Sequence, residues 1–461
     1  MSKIADAAGQ PRPGGGAPSC GWRVAAAGVV LALAAAAVVA GCAQAVPGPR
    51  VTPMTDISSG CGRRNAEVEE ASSAPDYVYA AWIGCKGIGF ARSIDGGLRF
   101  GRPMTVPGSR GSSWDPAIAT APDGAVYVAY MHRNGPFGSP GTSMYPVVAA
   151  SVDHGLSFRR VSPDRPPASG NWGDRVFIAV SKAGTVYLTW DYGPSAAEVK
   201  LRCGRAGSCA YAKGDLNVVI QKSADGGRTW GPVTHLEPGF PAGGGYGAPL
   251  LVRPDGRLDV LYIGHPTDPG TLVVHPGYEF FTTSRDGVSW PAHPLQLGAG
   301  EGTLSLSEWW IDGDLAADAA GNLYVTWDTQ TARGDIGWLT YSRDGGRTWS
   351  PPVRVTPGTG NAPHIVQVAG GPAGVAYIAW LTSAPHGWAA YLRTFSVRSG
   401  SLGPVLRVSG KYGNTSVWPG DTFGIAVLPG QPKRISLTWG SAIAPSRNPE
   451  IYAALVTLPP T

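Results

Sequence analysis

One octapeptide recurs along the chain, and no other feature restricts the possible folds as much. Its fullest form is Ser342-Arg343-Asp344-Gly345-Gly346-Arg347-Thr348-Trp349. Ser93–Phe100, Ser151–Phe158 and Ser223–Trp230 repeat it, and Ser284–Trp290 is a copy one residue short. The shared pattern is Ser-x-Asp-x-Gly-x-x-aromatic. Physically it describes a hairpin turn, in which the Asp carboxylate bonds backbone N–H groups and the Gly supplies a positive φ. The aromatic then returns to pack between strands. A chain that writes this turn so often is committed to antiparallel strands joined at regular intervals.

A second repeat runs in step with the first. It is an apolar strand, a turn, and an alternating strand ending in an aromatic, as from Ile118 to Tyr130. Equivalent strands end at Trp82, Trp190, Tyr262, Trp327, Trp380 and Trp439. The copies lie roughly 50 to 70 residues apart, which suits four short antiparallel strands, the size of a propeller blade. The octapeptide resembles the Asp-box of sialidases and related β-propellers. That resemblance implies an all-β fold over about residues 50–460, with the boxes as structural devices set away from the site. Seven blades are expected, with six, the usual number in sialidase catalytic domains, as the alternative. After each box comes an outer strand such as Pro352 to Thr356, and Arg50 to Thr55 reads the same way although it precedes the first blade. This segment is expected to complete the last blade and close the ring, which removes open edges.

Composition agrees with an ordered, turn-rich β protein: 66 Gly, 42 Pro and 16 Trp in 461 residues, with 15 % charged. The net charge of +5 comes without a long basic run, so nucleic acid is not an expected partner. Arg23 precedes an apolar run from Val24 to Ala40, which ends Val39-Ala40-Gly41-Cys42. A run of this length could span a bilayer. Its small residues before a Cys resemble the bacterial lipobox, which implies that Cys42 becomes the lipidated first residue of the mature chain. The expected organisation is a signal peptide over 1–42, a tether over 43–49 and a propeller over 50–461. The mature protein would be a monomer outside the bacterial cytoplasmic membrane, held to it by lipid only. Beyond Cys20 and Cys42 four cysteines remain, and the even count in an oxidising compartment suggests disulfides Cys61–Cys85 and Cys203–Cys209. No His stands near them at metal-ligand spacing, and neither a metal nor a cofactor is expected.

With the strands of each blade named a to d from the channel outward, the boxes join c to d on one face. The starts of the a strands and the b–c loops then surround the channel mouth on the other face, where propellers generally bind ligands. That rim is rich in acids beside aromatics, a combination that suits sugars: aromatic faces cover apolar ring faces and carboxylates accept hydroxyl hydrogen bonds. Asp174, Asp312 and Asp115 are the candidate acids and bases. Arg175, Asp191, Tyr192, Trp309, Asp314, Asp328, His364, Trp418 and Asp421 are the candidate ligand contacts. Crowding of the carboxylates is expected to raise at least one pKa by mutual repulsion. Arg175, the one cation written into an a-strand start, is the candidate to hold an anionic sugar. The loop from Tyr192 to Asp215 is expected to overhang the mouth. A second reading stays open, in which each Asp merely bonds backbone groups of the neighbouring blade and Trp309-Trp310 packs.

The sialidase resemblance implies three arginines on a sialic acid carboxylate, a Tyr–Glu nucleophile pair and an Asp acid/base. The family's Arg-Ile-Pro motif is absent, and Arg63, Arg64, Arg133, Arg175 and Arg333 sit in no recognisable motif. The catalytic set is therefore not carried across. Two functions remain: a surface glycoside hydrolase that binds and cleaves glycans, or a non-catalytic propeller that binds a protein or cell-envelope partner.

Overall fold

The computed structural model describes residues 48–136, 139, 141–162, 170–203, 209–236, 245–264, 268, 270–273, 277–297, 313–331, 334–357, 363–384, 386–459. These form seven antiparallel sheets arranged as successive blades. In blade 1 strands a to d are Ala66–Ser73, Tyr77–Gly84, Gly87–Ser93 and Met104–Thr105. Blade 2 is Ser113–Thr120, Val126–Arg133, Met144–Ser151 and Arg159–Arg160, and blade 3 is Trp172–Val180, Val186–Gly193, Asn217–Ser223 and Thr234–His235. In blade 4 strand a is broken into Gly245–Tyr246 and Leu250–Val252, followed by Leu258–Gly264, Tyr278–Ser284 and Leu295–Gln296. Blade 5 is Asp314–Ala317, Leu323–Thr331, Gly334–Ser342 and Val353–Arg354, and blade 6 is Pro363–Gly370, Val375–Ala384, Gly387–Ser396 and Leu406–Arg407. Blade 7 has Gly424–Leu428, Gln431–Ser441 and Glu450–Thr457 as strands a to c.

Its fourth strand comes from the other end of the chain. Arg50 pairs with Thr457 and Thr55 with Ala453, so Arg50–Val51 and Thr55–Asp56 lie along strand c of blade 7. Strand a of each blade packs on strand a of the next, blade 7 on blade 1 included, and the ring is closed. The expected closure is therefore present, and seven blades rather than six make the ring.

The b strands lie between neighbouring blades, which is why they read as nearly continuous apolar runs. Trp82, Trp190, Trp327 and Trp439 are fully buried, as are Tyr79, Tyr130, Tyr262 and Tyr324. One core cluster joins Tyr79 and Phe90 of blade 1 to Val126 and Val128 of blade 2, and another joins Phe281 of blade 4 to Trp327 of blade 5. Burying a large apolar side chain contributes about 1.5–3 kcal/mol, so the inter-blade seams are where the ring is held.

The boxes tighten those seams on one face. Ser342 Oγ donates to Asp344 Oδ1 at 2.8 Å and accepts from the Gly346 N–H at 2.8 Å. Asp344 in turn accepts from the Thr348 N–H at 2.9 Å and the Thr348 hydroxyl at 2.6 Å. These bonds to the charged form hold the Asp344 carboxyl below its ordinary pKa. Gly346, at φ 85°, brings its backbone against Phe281 and Arg253 of blade 4, where a Cβ would collide. The closing aromatic reaches the same neighbour: Trp349 stands edge-on to Phe281 at 5.1 Å. Trp230 does likewise, donating to the Val161 carbonyl after blade 2 at 2.6 Å.

Cys61 and Cys85 form a disulfide that ties the approach to blade 1 to the end of its strand b. Lys200–Cys203 and Cys209–Lys213 form a hairpin in which Cys203 and Cys209 are direct register partners. Their side chains lie outside the described residues.

Candidate functional site at the channel mouth

Three consecutive blades start their inner strand with the same distortion. The a/b register slips between Ala66 and Val68, between Trp114 and Ala117, and between Asp174 and Phe177. At each slip a charged residue takes a left-handed backbone: Glu67 at φ 52°, Asp115 at 44° and Arg175 at 47°. A bulge of this kind re-aims a side chain, and a non-glycine residue in that region is held there only by its surroundings. Each of the three stands fifteen residues before the buried aromatic of its b strand, Trp82, Tyr130 and Trp190. Gly247 holds the same place before Tyr262 and also has a positive φ, 62°. Asp312 keeps this spacing before Trp327, but lies outside the described residues.

The bulges gather the charges. The Arg175 guanidinium lies 3.2 Å from Asp421 of the approach to blade 7, with side-chain exposures of 3 % and 13 %. The ion pair thus joins blades that are not neighbours, which only a closed ring allows. The Arg175 backbone N–H donates to Asp115 Oδ2 at 3.1 Å, and the Trp114 indole N–H donates to Asp174 Oδ1 at 2.6 Å. The carboxyls of Glu67 and Asp174 both lie close enough to that of Asp115 to feel its charge. Burial raises Glu67 and Asp174 well above the ordinary range, and the Asp115 charge adds to it. Burial also raises Asp421, against which the Arg175 charge pulls it down. Arg175 itself is pushed up by Asp421, Asp115 and Glu67, which outweigh its own desolvation. The expected cause needs correcting: repulsion contributes, but removal from water is the larger effect.

Below this cluster is a cavity of about 130 Å³, lined by Glu69, Arg175, Asp314, Gln367, Asp421 and apolar side chains including Ile118 and Leu250. Glu69 is raised well above the ordinary range, by burial first and by Asp314 next. Asp314 is pushed up to about 6 by burial, although it accepts the N–H groups of Val368 and Leu315 at 2.8 Å each. Glu67, Asp115 and Asp421 have carboxylate oxygens within 4.8 Å of one another, and they are the described residues best placed to hold a cation. The positive charge in their midst is that of Arg175.

Other sequence candidates fall in different places. Asp191 is fully buried opposite Asp174 in the register and accepts the Gly247 N–H of blade 4 at 3.1 Å. Asp328 is buried near the end of strand b of blade 5. Tyr192 is half-buried and edge-on to His235, at 6.4 Å between ring centres. Trp418 packs edge-on to Trp388 at 5.5 Å. His364 lies at another register slip, between Pro363 and Ile365, and its side chain is outside the described residues, as are Trp309 and Cys42. The hairpin after Tyr192 leans along the rim, where Lys213 bridges to Val273 of blade 4. Sequence reading places Glu67 on the rim at the start of strand a of blade 1 without making it a candidate site residue, and it missed Glu69. The fifteen-residue spacing to Trp82 was the signal for Glu67.

No family model matches the sequence, and no curated protein matches it. Solved structures do. A protein of unknown function from Dyadobacter fermentans has a TM-score of 0.54 at 13 % identity, over 90 % of this chain and 100 % of that one. An α-L-arabinofuranosidase from Fusarium graminearum, solved with an iminosugar inhibitor, has a TM-score of 0.51 at 11 % identity, over 88 % and 98 %. The NanB sialidase of Streptococcus pneumoniae has a TM-score of 0.48 at 12 % identity, over 74 % and 68 %. At these identities the likeness to the first two establishes the fold alone.

Proposed function

We propose that this protein is a surface-anchored propeller, lipidated at Cys42, that binds glycans at the channel mouth and hydrolyses them with carboxyls of the rim. Glu67, Asp115 and Asp174 carry this reading, because three carboxyls are gathered at the channel mouth and removal from water raises Glu67 and Asp174 well above the ordinary range, which favours a proton donor there. A glycosidase needs one carboxylic acid to protonate the leaving oxygen and a second carboxylate as base or nucleophile. Asp174 takes the first role, and Asp115 or Asp312 the second. The architecture shared with an arabinofuranosidase supports a glycoside as ligand.

A specific observation favours a non-catalytic binder as the second reading. Asp115, Asp191 and Asp314 each spend an oxygen on a backbone N–H of the next blade, and Arg175 is already paired with Asp421. The two are separated by arraying the protein against host and cell-wall glycans with a product assay alongside. Asp174→Asn and Asp312→Asn, made singly, should lower turnover by about 10²–10⁴-fold in a domain that still melts cooperatively. Glycan binding by the unaltered protein without any product would establish the second reading, and full activity in both variants would remove these acids from the mechanism.

A further inference from the structure

The face opposite the channel mouth carries an uneven set of box tips. The residues just before the box Asp and just after the box Gly are Ile94 and Leu98 in blade 1, and Val152 and Leu156 in blade 2. All four are exposed, at 65, 49, 78 and 62 %. The matching positions are Ala224 and Arg228 in blade 3, Arg285 and Val288 in blade 4, and Arg343 and Arg347 in blade 5. Only two adjacent blades therefore present apolar side chains at both tip positions. Exposed arginines accompany them: Arg99 lies within the first box and Arg102 follows it, and Arg159 and Arg160 follow the second. The acids among them are partly committed, since Asp95 and Asp153 accept turn N–H groups and Asp76 lies near Arg434, leaving Asp123 exposed.

The described chain enters the fold at this same edge. Arg50 pairs with Thr457, Thr457 pairs with Arg434, and Arg434 lies against Gly96 of the first box. Cys42 precedes Arg50 by a tether of residues 43–49, which extends to about 25 Å at most. A lipid on Cys42 would therefore hold the bilayer surface close to the box tips of blades 1 and 2, and the channel mouth would face outward.

We propose that this apolar and basic edge rests on an anionic lipid surface, with Ile94, Leu98, Val152 and Leu156 entering the headgroup region and the arginines facing lipid phosphates. Apolar tips ringed by cations are the composition of an interfacial contact, and exposed apolar groups clustered on one edge call for a partner. The contact sets the orientation of the ring on its tether. It rests on the anchoring reading above.

The test uses the full chain reconstituted in vesicles of phosphatidylcholine with or without phosphatidylglycerol. A polarity-sensitive dye is placed on one introduced thiol, at Leu98→Cys, at Leu156→Cys, or at Ser416→Cys on the opposite face. In floated vesicles containing phosphatidylglycerol, dye at positions 98 and 156 should shift to the blue. It should also be shielded severalfold from an aqueous quencher relative to position 416. Replacing Arg99, Arg102, Arg159 and Arg160 by Gln should reduce that shift. Flotation with the dye at 98 and 156 as exposed as at 416 overturns the proposal and leaves the anchor standing. A chain that does not float overturns the anchor and the proposal together.

Discussion

At the residue scale, the same chemical group serves opposite ends according to its access to water. The box residues Asp153, Asp225, Asp286 and Asp344 lie at the surface, accept several turn hydrogen bonds and sit below their ordinary pKa, with Asp225 lowered to about 2. Replacing Asp344 by Ala should lower the melting temperature by a few degrees through lost turn bonds and leave glycan affinity unchanged. Lost affinity at an unchanged melting temperature would give the box a direct role in binding. Buried acids behave the other way. Glu70 lies between blade 1 and blade 7 beside Ser436 and Thr438, and burial pushes it up to about 8. Because the folded pKa exceeds the unfolded value of about 4.5, the folded state binds the proton more tightly. Its contribution to stability is complete below pH 4.5 and is lost as the pH rises towards 8. Glu70→Gln should remove this dependence and stabilise the domain at pH 9 by on the order of a few kcal/mol. Urea midpoints at pH 5 and pH 9 decide it: parallel shifts in variant and parent would show that Glu70 is not the responsible group.

At the element scale, the recurring device is the bulge that opens strand a of blades 1 to 3. It turns Glu67, Asp115 and Arg175 out of the pleat, where an uninterrupted strand would alternate its side chains between the two faces. The disulfide acts on the first of these strands, since it fixes the loop that delivers Glu67 to the end of strand b. Cys61 and Cys85 are 24 residues apart, a separation at which cross-linking contributes about 3 kcal/mol. Cys61→Ser with Cys85→Ser should destabilise the domain by about that amount, read as a lower denaturant midpoint with unchanged slope. An unchanged midpoint would mean that the bridge only trims a loop.

At the scale of the whole molecule, closure decides both stability and site. Residues 50–56 supply the outer strand of blade 7, and without them strand c of that blade has an unpaired edge. A chain lacking 50–56 should lose its single sharp melting transition and associate through that edge, as followed by calorimetry and light scattering. A monomer with the parent transition would show that closure does not depend on this strand. Much of this was legible in the sequence. Five Asp-box turns and seven aromatic-ended strands determined antiparallel blades, and the spare strand at Arg50 determined how the ring shuts, because turns and strand periodicity are local properties. Which charges would meet was not local. Asp421 meets Arg175 only because the ring brings the approach to blade 7 within 3.2 Å of the start of blade 3. Trp418, written near Asp421 like a sugar platform, stands edge-on to Trp388, a neighbour that only the folded chain supplies. The pattern of types determined the architecture, while burial and proximity across the channel, which exist only in the closed ring, decided how each charge is used.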